Sequence, residues 1–226
     1  MAKASSAAAP NRASALASPL TRGLLHPLAK PVVFALCLLP FAWLLYNVVQ
    51  ALLEHPNSLG ANPAEHLIRA TGDWTLRMLC VVLAVTPVRT VFNIPALARF
   101  RRMLGLFVYF YVLCHLLAYS WFDMGFDVPD IAKDIAKRPF ILVGFAAFVL
   151  LTPLALTSFN RAIRALGAKR WQLLHKLVYA VAALGILHFF WMRAGKNNFA
   201  EVAVYAAVLG LLLGWRALRF MKKKRQ

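Results

Sequence analysis

The chain has 226 residues, 61% of them hydrophobic and only 15% charged, well above the roughly 45–50% apolar content of a soluble domain. A net charge of +18 invites a nucleic-acid reading, but the basic residues fall in short runs between apolar blocks, as they do in membrane-protein loops. The blocks approach the ~20 residues a helix needs to cross a ~30 Å hydrocarbon core, so composition excludes a soluble domain and a nucleic-acid module and makes lipid the solvent.

Residues 1–30 are rich in Ala, Ser and Pro, carry Lys3, Arg12, Arg22 and Lys30 and no acid, and read as a disordered basic tail. The apolar run from Pro31 to Leu53 exceeds the roughly 7–15 residues of a signal-peptide core and is taken as the first span. Five more spans follow: Asp73 to Val88, Met103 to Phe122, Phe140 to Thr157, Trp171 to Met192 and Phe199 to Trp215. Residues 217–226 form a second basic tail. The expected fold is therefore an all-α bundle of about six transmembrane helices, with residues 31–216 as its single membrane domain.

Charge sets the expected orientation. Arg89, Arg99, Arg101 and Arg102 fill the second connection, Arg161, Arg164, Lys169 and Arg170 the fourth, and Arg216 to Arg225 the tail. By the positive-inside rule these segments and both termini are cytoplasmic in a bacterial inner membrane. All eight acids, Glu54, Glu65, Asp73, Asp123, Asp127, Asp130, Asp134 and Glu201, fall on the other side, which places loops 54–72, 123–139 and 193–198 outside.

Chemistry centres on histidine. His115 lies in the third span, His175 and His188 in the fifth; ionisable groups inside a membrane usually face the bundle interior, and a neutral imidazole is a good iron ligand. Each could instead hydrogen-bond a neighbouring helix. Depth separates them. His115 is 8 residues before Asp123 and His188 is 5 before Arg193, so both lie in the outer half, offset by roughly 5–8 Å. His175, only 5 residues past Arg170, lies near the cytoplasmic face, ~20 Å from His188 and rotated by about 220° on a straight helix. This predicts His115 and His188 as one axial pair and His175 as part of a separate site near Arg101, Arg102, Lys169 and Arg170. Arg77, one turn into the second span, is a candidate partner for a haem propionate, or snorkels to the surface. Asp127, Asp130 and Asp134 repeat at helical spacing and are expected to present one acidic docking face. Cys37, Cys80 and Cys114 lie singly in apolar runs and imply neither disulfide nor zinc. Dinucleotide and phosphate-loop motifs are missing, so electrons or substrates must come from partners or small carriers.

The segment Arg170-Trp171-Gln172-Leu173-Leu174-His175-Lys176-Leu177-Val178-Tyr179 followed by His188 resembles the fifth span of the ferric-reductase-like transmembrane family. Gly72-Asp73-Trp74-Thr75-Leu76-Arg77, Thr86-Pro87-Val88-Arg89, and Arg101-Arg102-Met103-Leu104-Gly105 leading to His115, Tyr119 and Phe122-Asp123 resemble more narrowly the MsrQ proteins, formerly YedZ. The match covers roughly residues 30–216, and the family's haem-binding histidines carry over to His115, His175 and His188. The resemblance implies a haem b subunit, with one or two haems and an association with FMN. Such a subunit takes electrons from the quinone pool or a cytoplasmic flavin donor and passes them to a periplasmic molybdopterin enzyme, MsrP, in a heterodimer. Reduction of methionine sulfoxide in periplasmic proteins belongs to that partner. The rival readings are a stand-alone ferric or metal reductase, disfavoured because the chain carries no dehydrogenase domain, and a non-redox transporter with packing histidines.

Overall fold

The protein is described by a computed structural model covering residues 19–194 and 199–224. Among these residues every regular element is helical: α1 (Pro19–Leu25), α2 (Ala29–Leu52), α3 (Pro63–Val91), a 3-10 turn (Pro95–Phe100), α4 (Arg101–Phe122), α5 (Val128–Lys137), α6 (Pro139–Leu156), α7 (Asn160–Leu166), α8 (Ala168–Leu174), α9 (Leu177–Ala194) and α10 (Ala200–Lys224). Six segments are long and apolar enough to cross a membrane: α2, α3, the 3-10 turn with α4, α6, α8 with α9, and α10. Large apolar side chains such as Leu36, Trp43, Leu45 and Leu211 are exposed on the helix flanks, as expected when the surrounding solvent is lipid.

The spans are longer than predicted at several ends. The second begins at Pro63 rather than Asp73, because the Asn62 side chain caps it by accepting from the Glu65 amide at 3.1 Å and proline sits in the first turn. Much of the predicted loop 54–72 is thus helix. The expectation of a disordered tail over 1–30 fails for its last part. α1 and the start of α2 are helical from Pro19 onward, pinned where Arg99 donates to the Leu24 carbonyl at 2.7 Å and where Thr21 is fully buried. Residues 1–18 lie outside the described residues. The last helix continues to Lys224, through most of the predicted second tail. Residues 195–198 of the predicted loop 193–198 also lie outside the described set.

α3 packs along α4 and α6 along α9, with α4 touching α6 and α10 lying against α3 and α9. The central core joins Leu79, Val82, Phe107, Val108, Leu151 and Ala182 from these four inner helices. α2 is tied on by Tyr111. Its buried hydroxyl donates to the Cys37 carbonyl at 2.7 Å and accepts from the Phe41 amide at 3.2 Å, the two groups an uninterrupted helix would pair with each other beside Pro40. The fifth span is not one straight helix. It turns at His175 and Lys176 between α8 and α9, so the rotation expected for a continuous helix does not apply.

The bundle has an acidic end, with Glu65, Asp123 and α5, and a basic end, with Arg101, Arg102 and Arg170. α5 is a surface helix with Val128, Ile131 and Ile135 on its apolar side, capped by Asp127, which accepts from the Asp130 amide at 3.0 Å.

Candidate functional site

At the acidic end α3, α4, α6 and α9, with Ile135 of α5, surround a cavity of about 560 Å3, lined mainly by apolar side chains, with His115 from α4 and His188 from α9 in its wall. Their ring centroids are 6.2 Å apart with planes inclined at 75°. The structure thus brings together the two histidines that the sequence placed at similar depth.

Each ring is held by the same local device. His115 donates from Nδ1 to the Ile68 carbonyl of α3 at 2.8 Å, and His188 donates from Nδ1 to the Phe140 carbonyl of α6 at 2.7 Å. A carbonyl only accepts, so both Nδ1 atoms carry the proton and both Nε2 atoms keep a lone pair. One turn beyond each carbonyl stands a glycine. A Cβ at Gly72 would come within 3.2 Å of the His115 Nδ1 and Cε1 atoms, and one at Gly144 within 2.8 Å of the His188 Nδ1. The absence of these two Cβ atoms lets the imidazoles lie against the neighbouring helix backbones.

The geometry suits a metal held between the rings. Two imidazoles ligating one ion from opposite sides, with bonds of roughly 2 Å, place their centroids roughly 6 Å apart. The donor set is two neutral nitrogens in an apolar shell, with each second nitrogen already engaged, the outer-shell arrangement that fixes ligand orientation. Among the described residues there is no cluster of three or more His, Cys, Asp or Glu side chains fit for a bare metal ion.

His175 is elsewhere. It belongs to a second cavity of about 840 Å3 at the basic end, lined also by Arg101, Arg102, Lys176 and Arg216, with no carboxylate among its lining residues. Its Nδ1 donates to the Trp171 carbonyl at 2.9 Å, its ring lies 3.9 Å from that of Trp171, and its Nε2 is 3.5 Å from the Ser158 hydroxyl. Leu79, Val108 and Leu151 line both cavities and are the layer between them.

Arg77 does not reach the histidine cavity. It is exposed, its guanidinium lies 4.7 Å from the Trp74 ring centroid, and its Nε donates to the Tyr205 hydroxyl at 3.1 Å. Helical rotation contributes to this: Arg77 stands about 100° past Leu76, which lines the cavity, and so lies beyond the edge of the lining marked by Asp73. The arginines lining the cavity are Arg69 and Arg138, neither singled out by the sequence. The acidic face expected on α5 is also incomplete. Asp134 is turned inward, accepting from the Tyr119 hydroxyl at 2.5 Å and from Arg138 Nε at 2.6 Å. Asp127 and Asp130 remain exposed, the latter paired with Lys133 at 3.2 Å.

The signal for Gly144 was present as an isolated glycine inside an apolar span, whereas Gly72 fell at the end of the predicted loop 54–72; only packing reveals which ring each one admits.

Residues 71–186 match the family described as Ferric reductase like transmembrane component. The match ends two residues before His188. Over 203 residues, 90% of each chain, the sequence is 72% identical to the protein-methionine-sulfoxide reductase heme-binding subunit MsrQ of Polaromonas naphthalenivorans. Proteins of the same name from Herminiimonas arsenicoxydans and Xanthomonas campestris are 51% and 42% identical, over 82% and 87% of this chain and 83% and 89% of their own. No solved structure matches. With an all-helical bundle of six candidate spans and these relatives along nearly its whole length, the chain belongs to the ferric-reductase-like transmembrane family and, within it, to the MsrQ proteins.

Proposed function

We propose that this chain is a haem b electron-transfer subunit. It carries electrons from the quinone pool, or from a cytoplasmic flavin donor, to a periplasmic methionine sulfoxide reductase of the MsrP type. The observation that carries the reading is the pair His115 and His188, each with Nδ1 on a backbone carbonyl and its other nitrogen available, 6.2 Å apart in an apolar cavity. The relatives' name, a heme-binding subunit of a protein-methionine-sulfoxide reductase, supports it independently.

When bound, haem supplies a one-electron couple inside the bilayer. The chain's residues do the rest. Ile68 and Phe140 hold the imidazoles as neutral ligands, Gly72 and Gly144 make room for them, and the apolar wall excludes water. With both imidazoles holding it, haem iron would have no open position, which favours electron transfer over substrate chemistry. The acidic end faces the periplasm and the basic end and both termini the cytoplasm, supported by the basic residues of the second and fourth connections. The His175 cavity is the electron-entry side. Its four cations suit a donor or cofactor bearing carboxylate or phosphate, such as a second haem or FMN, and its apolar part suits a quinone. Leu79, Val108 and Leu151 line both cavities and keep them from merging into a water path.

The test is a reduced-minus-oxidised spectrum and haem quantification on purified wild-type, His115→Ala and His188→Ala proteins. Each variant should lose haem or pass from a six- to a five-coordinate spectrum. Full haem with an unshifted low-spin spectrum in both would overturn the assignment.

A further inference from the structure

We infer that Arg69 and Arg138 are the cations that receive the two carboxylates of the cofactor seated between His115 and His188, so that its acidic groups point to the acidic end of the bundle. This rests on the haem reading above, since haem is an apolar macrocycle with two propionates on one edge.

Three observations lead to it. First, Arg69 and Arg138 are the lysine or arginine residues lining this cavity, whereas Arg77 lies outside it. Glu65, Asp73 and Asp123 line the same end, so two further carboxylates entering an apolar site need cations of their own. Second, both arginines are built into the ligand supports. Arg69 follows Ile68, whose carbonyl holds His115, and Arg138 is two residues before Phe140, whose carbonyl holds His188. Each of the two segments that hold the paired rings thus brings one arginine to the same cavity, one for each propionate. Third, each guanidinium is anchored by a carboxylate one turn earlier on its own segment: Glu65 for Arg69, and Asp134 for Arg138 at 2.6 Å. The Asp134 bond uses Nε, so it does not occupy the two terminal nitrogens of Arg138. Five donors on a planar fork allow one guanidinium to serve both its anchor and an incoming carboxylate. Tyr119, whose hydroxyl donates to Asp134 at 2.5 Å, braces the second anchor against α4.

A cation beside the cofactor favours the electron-rich state, so removing it lowers the midpoint potential. The experiment is a spectroelectrochemical titration of the purified full chain with its native haem, together with haem retention against apomyoglobin as acceptor. Arg69→Gln and Arg138→Gln should each shift the reduction equilibrium about tenfold toward the oxidised form, about 59 mV for one electron, and should speed haem loss. Arg138→Lys, which keeps the charge and loses the fork, should stay within about twofold of the wild-type equilibrium yet lose haem faster. Arg77→Gln should match wild type in both measures. Wild-type equilibrium and retention in both glutamine variants would overturn the inference while leaving the histidine pair standing. A wild-type chain with no haem would overturn both.

Discussion

Replacing Gly144 by Ala tests whether the histidine cavity is shaped by the missing Cβ. The new methyl would stand 2.8 Å from His188 Nδ1 and 2.9 Å from its Cε1, closer than real Cβ contacts allow. The ring is also fixed by its 2.7 Å bond to the Phe140 carbonyl. Either that bond breaks, at a net cost of about 0.5–1.5 kcal/mol, or α6 and α9 separate, with overpacking costing about 1–3 kcal/mol. Alanine regains about 1 kcal/mol of helix propensity. The net loss of stability should be roughly 0–2 kcal/mol, and the displaced imidazole should weaken metal binding about 10–100-fold, the usual effect of disturbing an outer-shell support. Haem titration of the apoprotein, with the low-spin fraction read optically, measures this. Gly72→Ala, with its 3.2 Å contacts to His115, should show the same effect more weakly, and Gly105→Ala, with nothing within 4 Å, should behave as wild type. If Gly144→Ala binds haem as Gly105→Ala does, the cradle argument is wrong.

Three other outcomes follow from the structure. His175→Ala should keep the low-spin signature of the acidic-end pair and slow reduction by a quinol or reduced flavin at least several-fold; normal rates would separate the basic-end cavity from electron entry. Reversing charge at Asp127 and Asp130 together should slow reduction of the periplasmic partner and flatten its salt dependence, because these carboxylates remain on the exposed side of α5. Asp134 is unsuited to that test, being tied to Tyr119 and Arg138. Asp123 has its carboxyl pushed above the usual range, chiefly by partial burial and then by Asp134 and Glu65, against the opposing pull of Arg138. The folded state therefore holds the Asp123 proton more tightly than the unfolded one. Its contribution to stability is full below the ordinary aspartate value of roughly 3.9 and declines as pH rises through the raised folded value. Thermal unfolding in nanodiscs across that window should show a falling limb that Asp123→Asn flattens, and an unchanged limb would contradict the assignment.

Much of this protein was legible before folding because lipid imposes simple rules. Every backbone polar group must be satisfied within its own segment, so apolar length alone marked six spans. Charge asymmetry between connections marked two chemically distinct ends, and the depth of His115 and His188 along parallel spans marked them as neighbours, since rise per residue is constant in a helix. Depth does not give azimuth. Arg77 has the right height for the histidine cavity but turns out to face Trp74 and Tyr205, while Arg69, outside the predicted second span, faces in. Helical spacing put Asp134 on a face with Asp127 and Asp130, yet the pull of Tyr119 and Arg138 draws it inward. The break at His175 and the roles of Gly72 and Gly144 depend on contacts between helices far apart in sequence, such as Ile68 with His115 and Phe140 with His188. Local sequence thus determined which helices exist and how deep each residue lies. Only packing decided which way each side chain looks, because rotation about a helix axis is set by its neighbours.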